Sequence, residues 1–204
     1  DLGFMWRLTS LIVPFTDYDL GNKFSIGLNL SNLGPKISYI DRAQADPIPT
    51  QFRLGLAYRI LSDDYNSLTY TLDFTKLLVR RYADGTSDDF YQAIFSAWGD
   101  KSIGEELADV VTSMGLEYWY GTPGDFLFAL RGGFFYEDPN YGNRKFITLG
   151  AGLRYDIYGF DFSYISTSVF KDGENHPLSD TLRFTILVGW GGLADKVKGL
   201  PRGI

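Results

Sequence analysis

The sequence predicts an all-β chain, an antiparallel transmembrane β-barrel, and three observations carry that prediction. Apolar and polar residues alternate with period two in long runs separated by turn residues, the signature of strands with one face in an apolar medium. Most runs approach the roughly 9–11 residues that a tilted membrane-spanning strand needs, whereas soluble strands run to about 5–6. The connections alternate between short and long, as in outer-membrane barrels with short periplasmic turns and long outer loops.

About nine strands follow in order. Residues 2–8 place Leu2, Phe4, Trp6 and Leu8 on one face. Ladders of the same kind occupy 24–30 and 52–60. In 67–75, Leu68, Tyr70, Leu72 and Phe74 oppose Ser67, Thr69, Thr71, Asp73 and Thr75. Further runs cover 112–120, 126–136, 147–157 and 160–166. In 181–190, Leu182, Phe184, Ile186, Val188 and Trp190 oppose Arg183 and Thr185. The short connections are expected at 13–21, 61–66, 121–125 and Tyr158-Gly159, and the long ones at 34–49, 78–108, 137–144 and 171–179. Helix is expected only as short pieces within 89–110, where Gly99 and Gly104 interrupt. Aromatics gather at strand ends (Tyr118, Trp119, Tyr120; Phe134, Phe135, Tyr136; Tyr155, Tyr158, Phe160), as interfacial girdles do.

Residues 1–190 read as the barrel part and 191–204 as a short polar tail. Bacterial single-chain barrels have an even strand count, so nine strands suggest that others precede them, and the opening Asp1 suggests a mature chain or a fragment. A soluble sandwich shares the alternation but turns its apolar face inward. The choice between the two rests on strand length, loop asymmetry and the girdles.

The formal net charge of −6 argues against a general nucleic-acid binder, which needs a basic face to neutralise phosphates. With no Cys among 204 residues there is no disulfide framework, thiolate metal site or Cys nucleophile. No run of 18 apolar residues offers a membrane-crossing helix. His176 stands in a polar loop beside Glu174 and Asn175, the setting of a solvated side chain. Asp63-Asp64 and Asp88-Asp89 lack calcium-loop spacing and read as turn residues. Gly150-Ala151-Gly152 lies inside a strand, so it reads as small residues beside a close neighbour, not a phosphate cradle. No catalytic residue, cofactor or metal is expected.

Charged residues on the polar alternation face (Arg53, Asp73, Glu117, Arg131, Arg154 and Arg183, with Arg7, Arg59 and Asp156) suggest a cross-strand ionic network lining a lumen. The segment 78–108 holds Phe90, Tyr91, Ile94, Phe95, Trp98 and Ile103, too apolar for a solvated loop of that size. It is read either as a partner surface or as a plug over the lumen.

The run Ile26-Gly27-Leu28-Asn29-Leu30-Ser31-Asn32-Leu33-Gly34-Pro35-Lys36-Ile37-Ser38-Tyr39 resembles a passage of the PorV family. So do Ile48-Pro49-Thr50 opening Phe52-Arg53-Leu54-Gly55, then Gly115-Leu116-Glu117-Tyr118-Trp119-Tyr120 and Ala129-Leu130-Arg131-Gly132-Gly133-Phe134-Phe135. Gly142-Asn143-Arg144-Lys145 and Asp180-Thr181-Leu182-Arg183-Phe184 continue the likeness in order along the chain. The family comprises outer-membrane barrels of the type IX secretion system, related to FadL-like transporters. The resemblance implies about fourteen strands in the complete barrel, a place in the outer membrane of a Gram-negative, Bacteroidetes-like cell, and a non-enzymatic role. That role is to receive cargo bearing C-terminal signal domains at the translocon and deliver it to the surface-attachment complex. Candidate partner-binding loop residues are Asn32, Lys36, Pro49, Trp98, Asn143 and Arg144. The alternative function is a FadL-like channel for a hydrophobic small molecule. Expected partners are translocon and attachment-complex proteins, cargo signal domains and outer-membrane lipid, with no nucleic acid.

Overall fold

Strict alternation over many residues leaves the backbone one economical way to pair its N–H and C=O groups: neighbour with neighbour, up and down. A computed structural model, which describes residues 1–10, 12–16, 19–38, 45–122, 125–167 and 180–189, has that architecture. Nine strands form one antiparallel sheet in sequence order: β1 (Leu2–Arg7), β2 (Phe24–Ser31), β3 (Gln51–Ser62), β4 (Asn66–Leu77), β5 (Val111–Gly121), β6 (Phe126–Tyr136), β7 (Lys145–Tyr155), β8 (Tyr158–Ser166) and β9 (Thr181–Val188). The sheet is open, with β1 and β9 as its two edges. Two short helices, α1 (Phe90–Ser96) and α2 (Ile103–Ala108), interrupt the β4–β5 connection. His176, Trp190, the 171–179 loop and the 191–204 tail lie outside the described residues.

Register fixes the two faces, because one residue of slip would invert every side chain. Leu28 pairs with Leu54, Leu54 with Phe74, Phe134 with Ile147 and Phe162 with Phe184, all on the apolar face. Asn29 pairs with Arg53, Glu117 with Arg131 and Ser163 with Arg183 on the other. A bulge between Arg59 and Leu61 displaces Ile60 from the ladder. The apolar face is not covered by a second layer: Phe4, Leu130, Phe184 and Ile186 stand 63%, 63%, 65% and 76% exposed. Among the described strands, the charged residues at apolar-face positions are Lys76 and Lys145, both at one end of the sheet. Arg7, Arg53, Arg59, Asp73, Glu117, Arg131, Arg154, Asp161 and Arg183 all point to the polar face.

Three local expectations are corrected. The β7–β8 turn is Asp156-Ile157, not Tyr158-Gly159. Asp156, with φ 48°, therefore belongs to a turn and not to the polar strand face. The β1–β2 connection runs over residues 8–23 and is held by a bridge between Ile12 and Asp19, so this rim is not uniformly short. Residues 63–65 and 156–157 are tight turns of that rim, where Thr122 and Asp125 also stand between β5 and β6.

Candidate functional site

Two arrangements of charge stand out, one on the polar face and one at the long-loop rim. On the polar face, Glu117 of β5 lies opposite Arg131 of β6, and Asp161 of β8 lies one diagonal step beyond, across Gly150 and Gly152 of β7. The Arg131 Nε donates to Glu117 Oε2 (2.7 Å) and its Nη1 to Asp161 Oδ1 (2.9 Å). Arg154 Nη2 donates to the other Asp161 oxygen (2.6 Å). A guanidinium can reach two strands away only where nothing fills the intervening position. A Cβ on Gly152 would stand 2.7 Å from Asp161 Oδ1 and 3.1 Å from Arg131 Nη1. One on Gly159 would meet Arg154 Cδ at 2.9 Å. The strand glycines thus serve the close approach expected of Gly150-Ala151-Gly152.

Both guanidiniums also lie against the Trp119 ring, at 5.2 Å (Arg131) and 5.6 Å (Arg154) from its centroid. Trp119 packs with Leu127 and Ala129 into a small buried cluster on this face. Its indole N–H is buried without a hydrogen-bond partner among the described residues. Of the other residues predicted for the polar network, Arg53 donates from Nε to Thr75 Oγ1 (3.1 Å). Asp73 sits over Gly55, and Arg183 lies beside Ser163 in register. These three share the face but stand outside the Glu117–Arg131–Asp161–Arg154 network. Sequence reasoning missed Asp161 and Trp119, although both occupy polar-face positions by simple alternation.

The second arrangement is the rim where the long loops meet. Asn32, in the left-handed region (φ 57°), donates from Nδ2 to the Pro49 carbonyl (2.9 Å), and Thr50 Oγ1 donates to the Asn32 carbonyl (3.0 Å). The ends of the 34–49 loop are thereby clasped. Lys36 Nζ donates to the Ser87 carbonyl (2.5 Å) and lies 3.6 Å from Asp89, while Arg81 pairs with Asp46 (2.8 Å). These contacts tie the 34–49 loop to the β4–β5 connection. Trp98 stacks edge-on to Phe52 (5.5 Å), donates from its indole to the Ile94 carbonyl (2.9 Å) and lies 5.8 Å from the Lys76 ammonium.

Lys76, 3% exposed, donates to Glu106 (2.6 Å) and Asp109 (3.1 Å), and Asp109 also accepts from Lys101 (2.8 Å). Burial pushes the Asp109 carboxyl up, but the Lys101 and Lys76 ammoniums outweigh it and hold it below the usual carboxylate value. Lys101 in turn lies 4.6 Å from the Tyr141 ring, linking the helices to the 137–144 loop. There Arg144 donates from Nε and Nη2 to the two oxygens of Glu137 (2.6 and 2.7 Å). Asn143 bends the chain at φ 56°.

Asn32, Lys36, Pro49 and Trp98 are therefore gathered at the β2–β4 end of the rim, and Asn143 and Arg144 stand farther along it, joined through Lys101. The contacts of α1 and α2 run to Phe52 and Lys76, on the apolar side of the sheet, and to neighbouring loops. Capping makes these helices local products of sequence: Asp89 with Gln92, and Ser102 with Glu105, form reciprocal caps.

No curated protein matches the chain. Residues 10–84, which hold β2, β3, β4 and the clasped loop with Asn32, Lys36 and Pro49, match the family model described as Type IX secretion system protein PorV.

Proposed function

We propose that the chain is part of an outer-membrane β-barrel that serves type IX secretion by recognising protein at its loop rim. It receives cargo with C-terminal signal domains at the translocon and delivers it to the surface-attachment complex. The observation that carries this reading is the family match over the segment that builds the β2–β3 loop. The distribution of charge supports the membrane setting: a lipid-facing surface tolerates charge only near its edges, and Lys76 and Lys145 both lie at the rim. The polar face then lines the interior. Linked loops suit recognition because their geometry is set before a partner arrives, which lowers the ordering cost of binding.

Asn32, Lys36, Pro49, Asn143 and Arg144 are the proposed contact residues, with Trp98 at the margin. The FadL-like alternative needs an apolar path through the interior, and the charged polar face counts against it. The test is photo-crosslinking in cells of the family's kind, from probes at positions 36 and 144 of the full-length protein. Capture of a translocon subunit or a cargo signal domain, identified by mass, is expected. A strain lacking the protein that still places its signal-domain cargo on the surface at the full level would overturn the proposal.

A further inference from the structure

We propose that α1 and α2 form an interfacial anchor whose exposed stripe is covered by the lipid of the outer leaflet. The inference rests on the barrel reading above. On α1 and the residues after it, Tyr91, Phe95 and Trp98 recur at helical spacing and stand 55%, 80% and 48% exposed. On α2, Ile103 and Leu107 do the same at 82% and 71%. The buried Ala93 and Ala97 lie on the opposite side of α1. Glu105 lies roughly opposite the Ile103–Leu107 edge of α2. α1 therefore presents an apolar edge opposite its buried alanines, and α2 an exposed apolar edge opposite the exposed Glu105.

A solvated loop has no reason to present such a stripe. Its position says what covers it. The pair is fastened to Phe52 and Lys76, which are apolar-face positions of β3 and β4 in register with Leu54 and Phe74. The stripe thus continues the side of the sheet that the barrel reading turns toward hydrocarbon, at the end where the lipid-facing band stops. The same packing neutralises the one β4 charge on that side, since the Lys76 ammonium is held by Glu106 and Asp109 at 3% exposure. Aromatic rings with a polar edge, as in Tyr91 and Trp98, favour headgroup depth, and short amphipathic helices settle about 5–10 Å into that boundary.

These 204 residues hold no Cys, so an introduced Cys reports from its own position once any cysteine elsewhere in the full-length protein is changed to serine. Phe95→Cys and Leu107→Cys variants of the full-length protein are each labelled with an environment-sensitive fluorophore and reconstituted into phosphatidylcholine vesicles. The vesicles carry doxyl quenchers near the headgroup or near the chain end. Phe184→Cys on the apolar face and Ser113→Cys on the polar face are labelled in parallel, and Ile103→Cys replaces either helix variant that fails to fold. Support is strong quenching at 95 and 107 by the shallow doxyl, quenching at 184 by the deep one and none at 113. Quenching at 184 with none at 95 and 107 overturns the anchor and leaves the barrel standing. Helix labels that are unquenched in lipid but shielded by added translocon would show a protein occupant, and overturn it too. No quenching at 184 removes the barrel reading and the anchor together.

Discussion

The polar face and the helix-bearing rim each hold a chain of two cations and two carboxylates beside a tryptophan. On the face the order is Glu117–Arg131–Asp161–Arg154, with Trp119 under both guanidiniums. At the rim it is Glu106–Lys76–Asp109–Lys101, with Trp98 near the Lys76 ammonium. The first joins strands whose register backbone hydrogen bonds already fix, so it reinforces a sheet. The second joins a strand end to helices that no ladder holds, so it decides where those helices sit. The arginines reach across glycine-lined strands with planar forks, whereas the lysine acts as a single buried point charge.

The largest effect is expected at Asp161, which both arginines share. Asp161→Ala leaves two guanidiniums facing each other over Trp119. Removing one partner of a fully buried pair costs about 3–5 kcal/mol. Arg131 is 31% and Asp161 23% exposed, so screening by water lowers the expected loss to about 2 kcal/mol. The unfolding midpoint of the detergent-folded protein measures it. A midpoint unchanged from wild type would mean that the network is ornamental to stability.

A slightly smaller effect is expected from Gly152→Val, which keeps every charge. Its side chain would push between Asp161 and Arg131, separating the pair without removing it, at about 1–2 kcal/mol. Combined with Asp161→Ala, it should add much less than it costs alone, because the two changes share one interaction. Full additivity would break the claim that the glycines exist to seat the arginines.

Lys76→Met sharpens the contrast between the regions. It removes the buried ammonium while keeping an apolar stem, so the sheet should hold its midpoint while residues 78–110 become sensitive to protease. The local loss is about 1–2 kcal/mol. Simultaneous loss of the whole sheet would show that the rim cluster is no separate unit.

How far the sequence reveals these two regions follows from their chemistry. The strands are legible because alternation is a local signal, and the Glu117–Arg131 pair lies on adjacent strands of one hairpin. The turn after β7 is misread because Gly159 looks like a turn residue, yet the structure uses it as the floor under the Arg154 side chain. The end of β4 is misread for the opposite reason. A lysine at an apolar position signals that the strand has stopped, but β4 runs on to Leu77 because Glu106 and Asp109, some thirty residues later, return to neutralise it. No local pattern announces a partner that arrives through a loop. Capping boxes announce the helices, but not the side of the sheet on which they land.

Acid distinguishes the regions at smaller amplitude. The Asp109 carboxyl titrates below its ordinary value of about 3.9. A carboxylate depressed on folding contributes stability that is present above the unfolded value and lost as pH falls through the folded one. The rim should therefore hold at neutral pH and loosen progressively below about pH 4. Hydrogen exchange at residues 90–108, compared with β6 and β7 at the same pH, reads this directly. Loosening that begins near neutrality would point to a different titrating group.

The smallest expected effect concerns the helices alone. Ser102 caps α2 by accepting from the Glu105 N–H (3.4 Å), while the Glu105 carboxylate accepts from Ser102 Oγ (2.7 Å) and from the Ser102 N–H (3.0 Å). Those contacts hold the Glu105 carboxyl below its usual value. Ser102→Ala deletes one half of the box and should cost about 0.5–1 kcal/mol of local stability, the lower range for an exposed cap. The loss should appear as faster exchange at Glu105, Glu106 and Leu107. It should not spread to α1, whose cap is Asp89, unless the two helices move as one body through Lys76; coupled exchange across both would merge them into a single cooperative unit.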